Sequence, residues 1–322
     1  MTPEDRETVR KWAEGAGSRA SVTLAAGKSP RGAAMREFAD ELAALCPAVT
    51  VKKDDEEEHG PALRVRGNIL FQSVPGGREL PPFLAALSGK EAFTASIPEP
   101  LIQRAAAIAL PSLFSVFVLP ACPHCPKTVE KMLALAFASN NMHVRVIDAE
   151  LFPEKAAAEE VRAAPTVVFD GRFRWTGSLD PEEVVAVAEN RDPAALSAET
   201  LMALIADGAA PKLAEMMAEA GKLFPAFFET LAHDKWPVRL GAMVAFEYLA
   251  ESAPGLAADA ADTLVSLFDN APDPVRGDIL HTLALTGRAD LSPWLRKVAE
   301  GPYGEDVREA AEEALGELET KG

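Results

Sequence analysis

Cysteine is scarce in this chain, with three in 322 residues, at Cys46, Cys122 and Cys125. So few argue against a disulfide-stapled secreted scaffold and fit a reducing compartment, where a vicinal pair is usually catalytic. No stretch of 18 apolar residues occurs, and a membrane span is not expected. The start, Met1-Thr2-Pro3-Glu4-Asp5-Arg6, lacks the basic onset and apolar run of a signal peptide, so a cytoplasmic location is expected. Positive charge is also short: 32 Lys and Arg stand against 49 Asp and Glu, a net charge of -17. Phosphate binding wants clustered basic residues, which argues against a nucleic-acid partner. The deficit is concentrated toward the end, where residues 195–322 carry 22 acidic and 10 basic side chains.

What is present centres on Leu113 to Cys125. An apolar run rich in β-formers, Leu113-Phe114-Ser115-Val116-Phe117-Val118-Leu119, leads into Pro120-Ala121-Cys122-Pro123-His124-Cys125. A helix follows, with Val129, Met132, Leu133 and Ala136 on one face and Asn140-Asn141 as its stop. Two cysteines therefore stand where a strand becomes a helix, and unpaired N–H groups there favour a thiolate. Cysteines three apart lie nearly one helical turn from each other, so the second can attack a mixed disulfide formed on the first. Cys122 is read as the nucleophile and Cys125 as the resolving thiol. Pro123 and His124 lie between them, and a histidine there stabilises a neighbouring thiolate. A structural zinc site would need a second Cys/His pair, which the chain does not supply. Cys46 ends an Ala/Leu-rich stretch and reads as a buried apolar residue.

At 322 residues the chain is too long for one ordinary core. Periodicity and turn signals give helix 3–14, strand 21–24, helix 32–45 and strand 49–51, then a charged loop Lys52–His59. Strands 62–65 and 68–74 and helix 80–87 complete the first unit. After a connection containing Ile97-Pro98-Glu99-Pro100 and a short helix 101–110, the order recurs. It runs strand 113–119, helix 123–139, strand 143–148, helix 152–162, strands 166–169 and 172–176 around Asp170-Gly171, and helix 181–189. Three domains are expected, over 1–96, 97–192 and 193–322.

Strand, Cys-Pro-His-Cys, helix and a later Ala164-Pro165-Thr166 together resemble the thioredoxin/glutaredoxin family. The tandem arrangement, with a dithiol only in the second unit, is similar to the N-terminal domain of the alkyl hydroperoxide reductase flavoprotein subunit and to glutaredoxin-like protein disulfide oxidoreductases. The resemblance implies an α/β fold of two thioredoxin-like lobes with mixed sheets and flanking helices, and a cis Pro165 packed beside the dithiol. Pro61 matches that place in the first unit. It further implies no bound cofactor, a redox-active Cys122–Cys125 disulfide, a protein disulfide as substrate and a thioredoxin-reductase-like flavoprotein as electron donor. Lys28-Ser29-Pro30-Arg31 stands where the first unit would carry its dithiol, so that lobe is expected to be a platform. Thioredoxin has a buried acid six positions before its first active cysteine, whereas this chain has Val116. Water, His124 or a residue of the first lobe must therefore accept the proton of Cys125. No Gly-x-Gly-x-x-Gly follows a strand, so electrons are not expected directly from NAD(P)H.

From Ser197 onward Ala, Leu, Glu and Val dominate, and one motif returns as Pro237-Val238-Arg239, Pro274-Val275-Arg276 and Asp306-Val307-Arg308. Each is expected to open a helix. The pattern resembles HEAT repeats, whose helix pairs stack because one pair cannot bury its own apolar face. Intervening helices are expected over 256–268 and 291–299, an irregular first pair over 209–231 and a capping helix over 305–319. Such a stack implies a protein client, a basic one given the acidic excess. His233 and His281 read as surface or satisfied histidines, and Trp236, Phe224, Phe227 and Phe228 as core. The function expected is thiol–disulfide exchange with protein substrates; the alternative is a redox-sensing adaptor that binds a client without turnover.

Overall fold

Apolar residues of β-forming type supply the strands of the first unit and Ala/Leu-rich segments its helices. The computed structural model describes residues 1–15, 20–54, 60–93, 95–206 and 208–321. They fall into two units, Met1–Asn190 and Arg191–Gly322. In chain order the first contains α1 (Pro3–Gly15), β1 (Ala20–Ala25), α2 (Pro30–Leu45), β2 (Val49–Asp54), β3 (Ala62–Arg66), β4 (Ile69–Gln72) and α3 (Leu80–Ser88). Then come α4 (Glu99–Ala106), β5 (Ser112–Val118), α5 (Cys125–Ala138), β6 (Met142–Asp148), α6 (Pro153–Ala158), β7 (Thr166–Phe169), β8 (Phe173–Thr176) and α7 (Pro181–Glu189). Of the charged run expected as a loop, Lys52–Asp54 instead extend β2, paired with Thr23–Ala25, and residues 55–59 lie outside the described residues.

All eight strands form one sheet in the order β2-β1-β3-β4-β6-β5-β7-β8. Each half repeats one pattern: a parallel pair, then two antiparallel neighbours. The halves join through parallel pairing of β4 with β6, Ile69 opposite Val144 and Phe71 opposite Val146. Without that joint both strands would be open edges inviting foreign pairing. Asn68 seals the joint by donating through Nδ2 to the carbonyls of Ala136, Ser139 and Met142 at 2.8, 3.0 and 2.9 Å. Two of these carbonyls, of Ala136 and Ser139, lie at the end of α5 beyond the reach of a helical N–H.

β5 lies inside the sheet, Val116 opposite Val146 on one side and Val167 on the other. Phe114, Val116, Phe117 and Val118 are buried, as are Val129, Met132, Leu133 and Ala136 on α5. Each of these side chains larger than alanine contributes about 1.5–3 kcal/mol by leaving water. This packing fixes the strand-to-helix corner that carries the cysteines. At the corresponding corner of the first half, Ser29 caps α2 through Oγ, accepting from Gly32 N at 3.1 Å. Gly32 is sterically required, since a Cβ there would run into the carbonyl oxygen of Ala26. Cys46 is buried and apolar in its surroundings, as expected.

The second unit is helical: α8 (Ala198–Ala206), α9 (Ala210–Ala220), α10 (Pro225–Leu231), α11 (Trp236–Ser252), α12 (Pro254–Ala258), α13 (Ala261–Asn270), α14 (Asp273–Leu285), α15 (Ser292–Ala299) and α16 (Glu305–Lys321). The helix expected over 256–268 is broken in two between Ala258 and Ala261. The Val-Arg motif opens α11, α14 and α16, and the structure gives a reason for its arginine. Arg239, 4 % exposed, donates to the carbonyls of His233 and Asp234 at 2.7 and 3.0 Å and pairs with Asp278 at 2.6 Å. Arg276 reaches back in the same manner to the carbonyls of Phe268 and Asp269 at 3.1 and 3.2 Å. Each arginine thereby ties its own helix to the chain just before it. Arg308, in the last copy, is exposed. Phe224 and Phe227 are core and Phe228 is half-buried, but Trp236, expected in the core, is 55 % exposed. The helical spacing is real; at the first position of α11, however, the side chain projects away from the packed face.

Candidate functional site: a dithiol at the start of α5

Strand β5 ends at Val118, and the chain turns through Leu119–His124 with Cys122 N donating to Leu119 O at 3.0 Å. α5 then begins at Cys125, with Pro126 in its first turn, where the missing N–H costs nothing. The backbone N–H of Cys125 points at Cys122 Sγ, 3.2 Å away. A donor so placed strengthens its bond when its acceptor becomes an anion. Cys122 keeps 8 % of its surface exposed between exposed Ala121 and Pro123, whereas Cys125 keeps none. Both are free thiols. His124 is exposed at the entry of α5 and makes no capping bond.

Opposite the thiols lies the loop that precedes β7. Its Ala164–Pro165 peptide bond is cis, and Cys122 Sγ donates to Ala164 O at 3.5 Å. Gly177 N donates to Pro165 O at 2.8 Å, and Thr166 Oγ1 donates to Ala163 O at 2.8 Å, which fixes the loop against β8. Five residues singled out from the sequence, Cys122, Pro123, His124, Cys125 and Pro165, are thus brought to one corner of the sheet. Among the described residues no group of three His, Cys, Asp or Glu is placed to hold a metal ion.

Sequence reasoning missed what lies behind Cys125. A short 3-10 turn, Gly77–Glu79, leads into α3 and packs against α5. Glu79 is 6 % exposed, and both its carboxylate oxygens are buried without a hydrogen-bonding partner in the protein. Burial pushes its pKa up to about 7, with help from the negative charge of Asp148 at the end of β6. Burial also pushes the Cys125 thiol far above its ordinary range, followed by the hydrogen bond with Cys122 and, further down, the charges of Cys122 and Glu79. Asp5 of α1 anchors this turn, accepting from Gly77 N at 2.8 Å and Thr2 N at 3.0 Å. Burial acts to raise the pKa of Asp5, but those backbone donors prevail and hold it below the usual carboxylate value. The signal in the sequence was Glu79 standing directly before the apolar Leu80-Pro81-Pro82-Phe83, a charge at the mouth of a buried helix.

Residues 113–189 match the thioredoxin domain family. The protein disulfide oxidoreductase of Aeropyrum pernix K1 is similar in fold, with a TM-score of 0.51 and 12 % identity over 58 % of this chain and 92 % of that one. An N-terminal domain structure of the alkylhydroperoxide reductase AhpF from Enterococcus faecalis V583 aligns with a TM-score of 0.49 and 18 % identity, over 58 % of this chain and all of that one. No curated protein matches the chain significantly. Among the described residues no helix is long and apolar enough to cross a membrane. The first unit is a thioredoxin-like mixed sheet with flanking helices, and the chain carries a thioredoxin-like domain at residues 113–189.

Proposed function

We propose that the first unit is a protein thiol–disulfide oxidoreductase working through Cys122 and Cys125. One observation carries the reading: the two sulfurs are unequally buried at the start of one helix, the outer one accepting the N–H of the inner. In the reductive direction Cys122 thiolate attacks a substrate disulfide. An S–S bond forms to Cys122, and the departing substrate sulfur takes up a proton. Cys125 then loses its proton and attacks Cys122 Sγ, releasing the second substrate thiol. The substrate gains two electrons and two protons, and the protein is left with the Cys122–Cys125 disulfide. A flavoprotein of the thioredoxin-reductase kind would restore the dithiol.

Glu79 fits the role of proton acceptor for Cys125. A carboxyl titrating at about 7 is matched to proton transfer near neutral pH, and its charge already acts on Cys125. The acid that thioredoxin carries on its own strand would here come from the first half of the sheet. That assigns the half without a dithiol a chemical part as well as a platform one.

The test is substitution and potential. Cys122→Ser abolishes insulin-disulfide reduction, and Cys125→Ser halts the reaction at the mixed disulfide, leaving the partner attached to Cys122 for identification by mass spectrometry. Retained turnover in Cys122→Ser overturns the assignment. A reduction potential of about -270 mV marks a reductant and one of about -120 mV an oxidant. A second reading, a redox-sensing adaptor, is favoured by the apolar side chains that the HEAT-like helical unit leaves in solvent. Client affinity that changes with oxidation, without turnover, would select it.

A further inference from the structure

Four large apolar side chains among the described residues are strongly exposed, and three of them, Trp236, Leu240 and Tyr248 at 55, 39 and 45 %, belong to α11. With half-buried Val244 they follow one another at intervals of four, a strip of about 18 Å along one helix face. The repeat does not require it. Taking Arg239, Arg276 and Arg308 as equivalent, the same places on α14 hold Asp273, Gly277, His281 and Leu285, 37 positions on. On α16, another 32 on, they hold Glu305, Glu309, Glu313 and Glu317. Glu305, Glu309 and Glu313 are exposed, and Glu317 is half-buried.

These faces adjoin. Arg239 meets Asp278 at 2.6 Å and, further along both helices, Glu247 meets His281 at 3.6 Å, so α11 and α14 run parallel and in contact. α14 packs in turn against α16, and Arg276 near the start of α14 lies 5.2 Å from the ring of Tyr303, just before α16 begins. α14 thus stands between the helix that carries the apolar strip and the helix that carries the glutamates. The acids Glu247 and Glu251 share the exposed side of α11, and the basic residue of that helix, Arg239, is buried and paired. Lys235 is the nearest other basic side chain in sequence.

We propose that this surface docks a basic amphipathic segment of a protein partner, its apolar side chains on the α11 strip and its Lys or Arg over the α16 glutamates. The proposal rests on the reading of the second unit as a client-binding module, and charge complementarity names the occupant. A second copy of this acidic chain would set carboxylates against carboxylates.

The probe is a fluorescein-labelled helical peptide of about 18 residues, matched to the strip, with leucine on one face and lysine on the other. The full chain is expected to bind it with an affinity that falls as salt rises, and to ignore a peptide with glutamate in place of lysine. Trp236→Ala and Leu240→Ala together should weaken binding at least tenfold, the loss typical of a buried anchor pair. Glu309→Gln with Glu313→Gln should weaken it severalfold and flatten the salt dependence. All four side chains are exposed, so circular dichroism should be unchanged. Failure to bind the lysine peptide, equal binding of the glutamate peptide, or indifference to these substitutions overturns the proposal. A concentration-dependent dimer abolished by Leu240→Ala would assign the face to a second copy and overturn it too. Repeating the titration on the Cys122→Ser chain separates the two readings, since loss of disulfide exchange with binding retained faults neither, whereas disulfide exchange by the unaltered chain without peptide binding faults this one alone.

Discussion

Replacing Glu79 with glutamine keeps the shape of the side chain and removes its charge, so its effect on folding should depend on pH in one direction. The carboxyl titrates at about 7 in the folded chain against 4.5 as its ordinary value, because burial and Asp148 disfavour the anion. The fold therefore favours the protonated form. Stability from this group is fully present below the unfolded pKa and is lost as pH rises through the folded one. Once both states are ionised the loss amounts to about 3 kcal/mol. Glu79→Gln escapes it. In urea melts the variant should match its parent within about 1 kcal/mol near pH 5 and exceed it by about 3 kcal/mol near pH 8.5. Cys125, raised by burial only in the folded chain, begins to ionise in the unfolded one near that upper limit, but it does so in parent and variant alike and drops out of their difference. Chemistry should move the other way. A lost proton acceptor slows the attack of Cys125 on a mixed disulfide by about 10²-fold near neutral pH. Stopped-flow release of thionitrobenzoate from Cys122 would follow that step. The contrary result is equally concrete: Glu79 also holds the Cys125 thiol up, so if its charge were only an obstacle, glutamine would speed the step. A faster or unchanged step, or a stability difference flat with pH, refutes the reasoning.

Two further outcomes test the packing within each unit, the first at the corner of α2 and the second at the motif arginines of the helical unit. Gly32→Ala drives a Cβ into the backbone carbonyl of Ala26, which no rotamer can relieve, and should destabilise the first unit by about 3 kcal/mol, at the upper end of overpacking costs. Thermal melts would read it, and a melting temperature equal to the parent's would contradict the packing at that corner. Arg239→Ala strips a buried ion pair and two carbonyl bonds and should cost about 3–5 kcal/mol. Arg308→Ala, at the same motif position but exposed, should stay within about 0.5 kcal/mol. Urea unfolding of the two variants side by side checks both, and equal losses would deny that the motif arginine works by reaching back.

Much of the site was legible because it is local. The strand, the dithiol and α5 occupy consecutive residues, and their signals, β-formers followed by Pro-flanked cysteines and a 3.6-residue periodicity, act within a few turns of chain. Pro165 was legible through a motif, although 43 positions separate it from Cys122. Glu79 was not, because it matters through a contact made when β4 pairs with β6, and no short-range pattern records which strand edges will meet. Once that joint forms, the turn that leads into α3 is delivered against α5 in the second half. The same limit explains Trp236. Spacing identified the helix, but which side faces the core is decided by α9, α10 and α14 packing against α11, not by α11 itself. Helix and strand are thus properties of segments, whereas a buried carboxyl beside a thiol, or an aromatic left in water, is a property of their assembly. A charge set directly before an apolar helix is the trace that such an assembly leaves in sequence: Glu79 enters a core at a cost of about 3 kcal/mol at high pH, a cost that the proposed role as proton acceptor for Cys125 gives a chemical reason to bear.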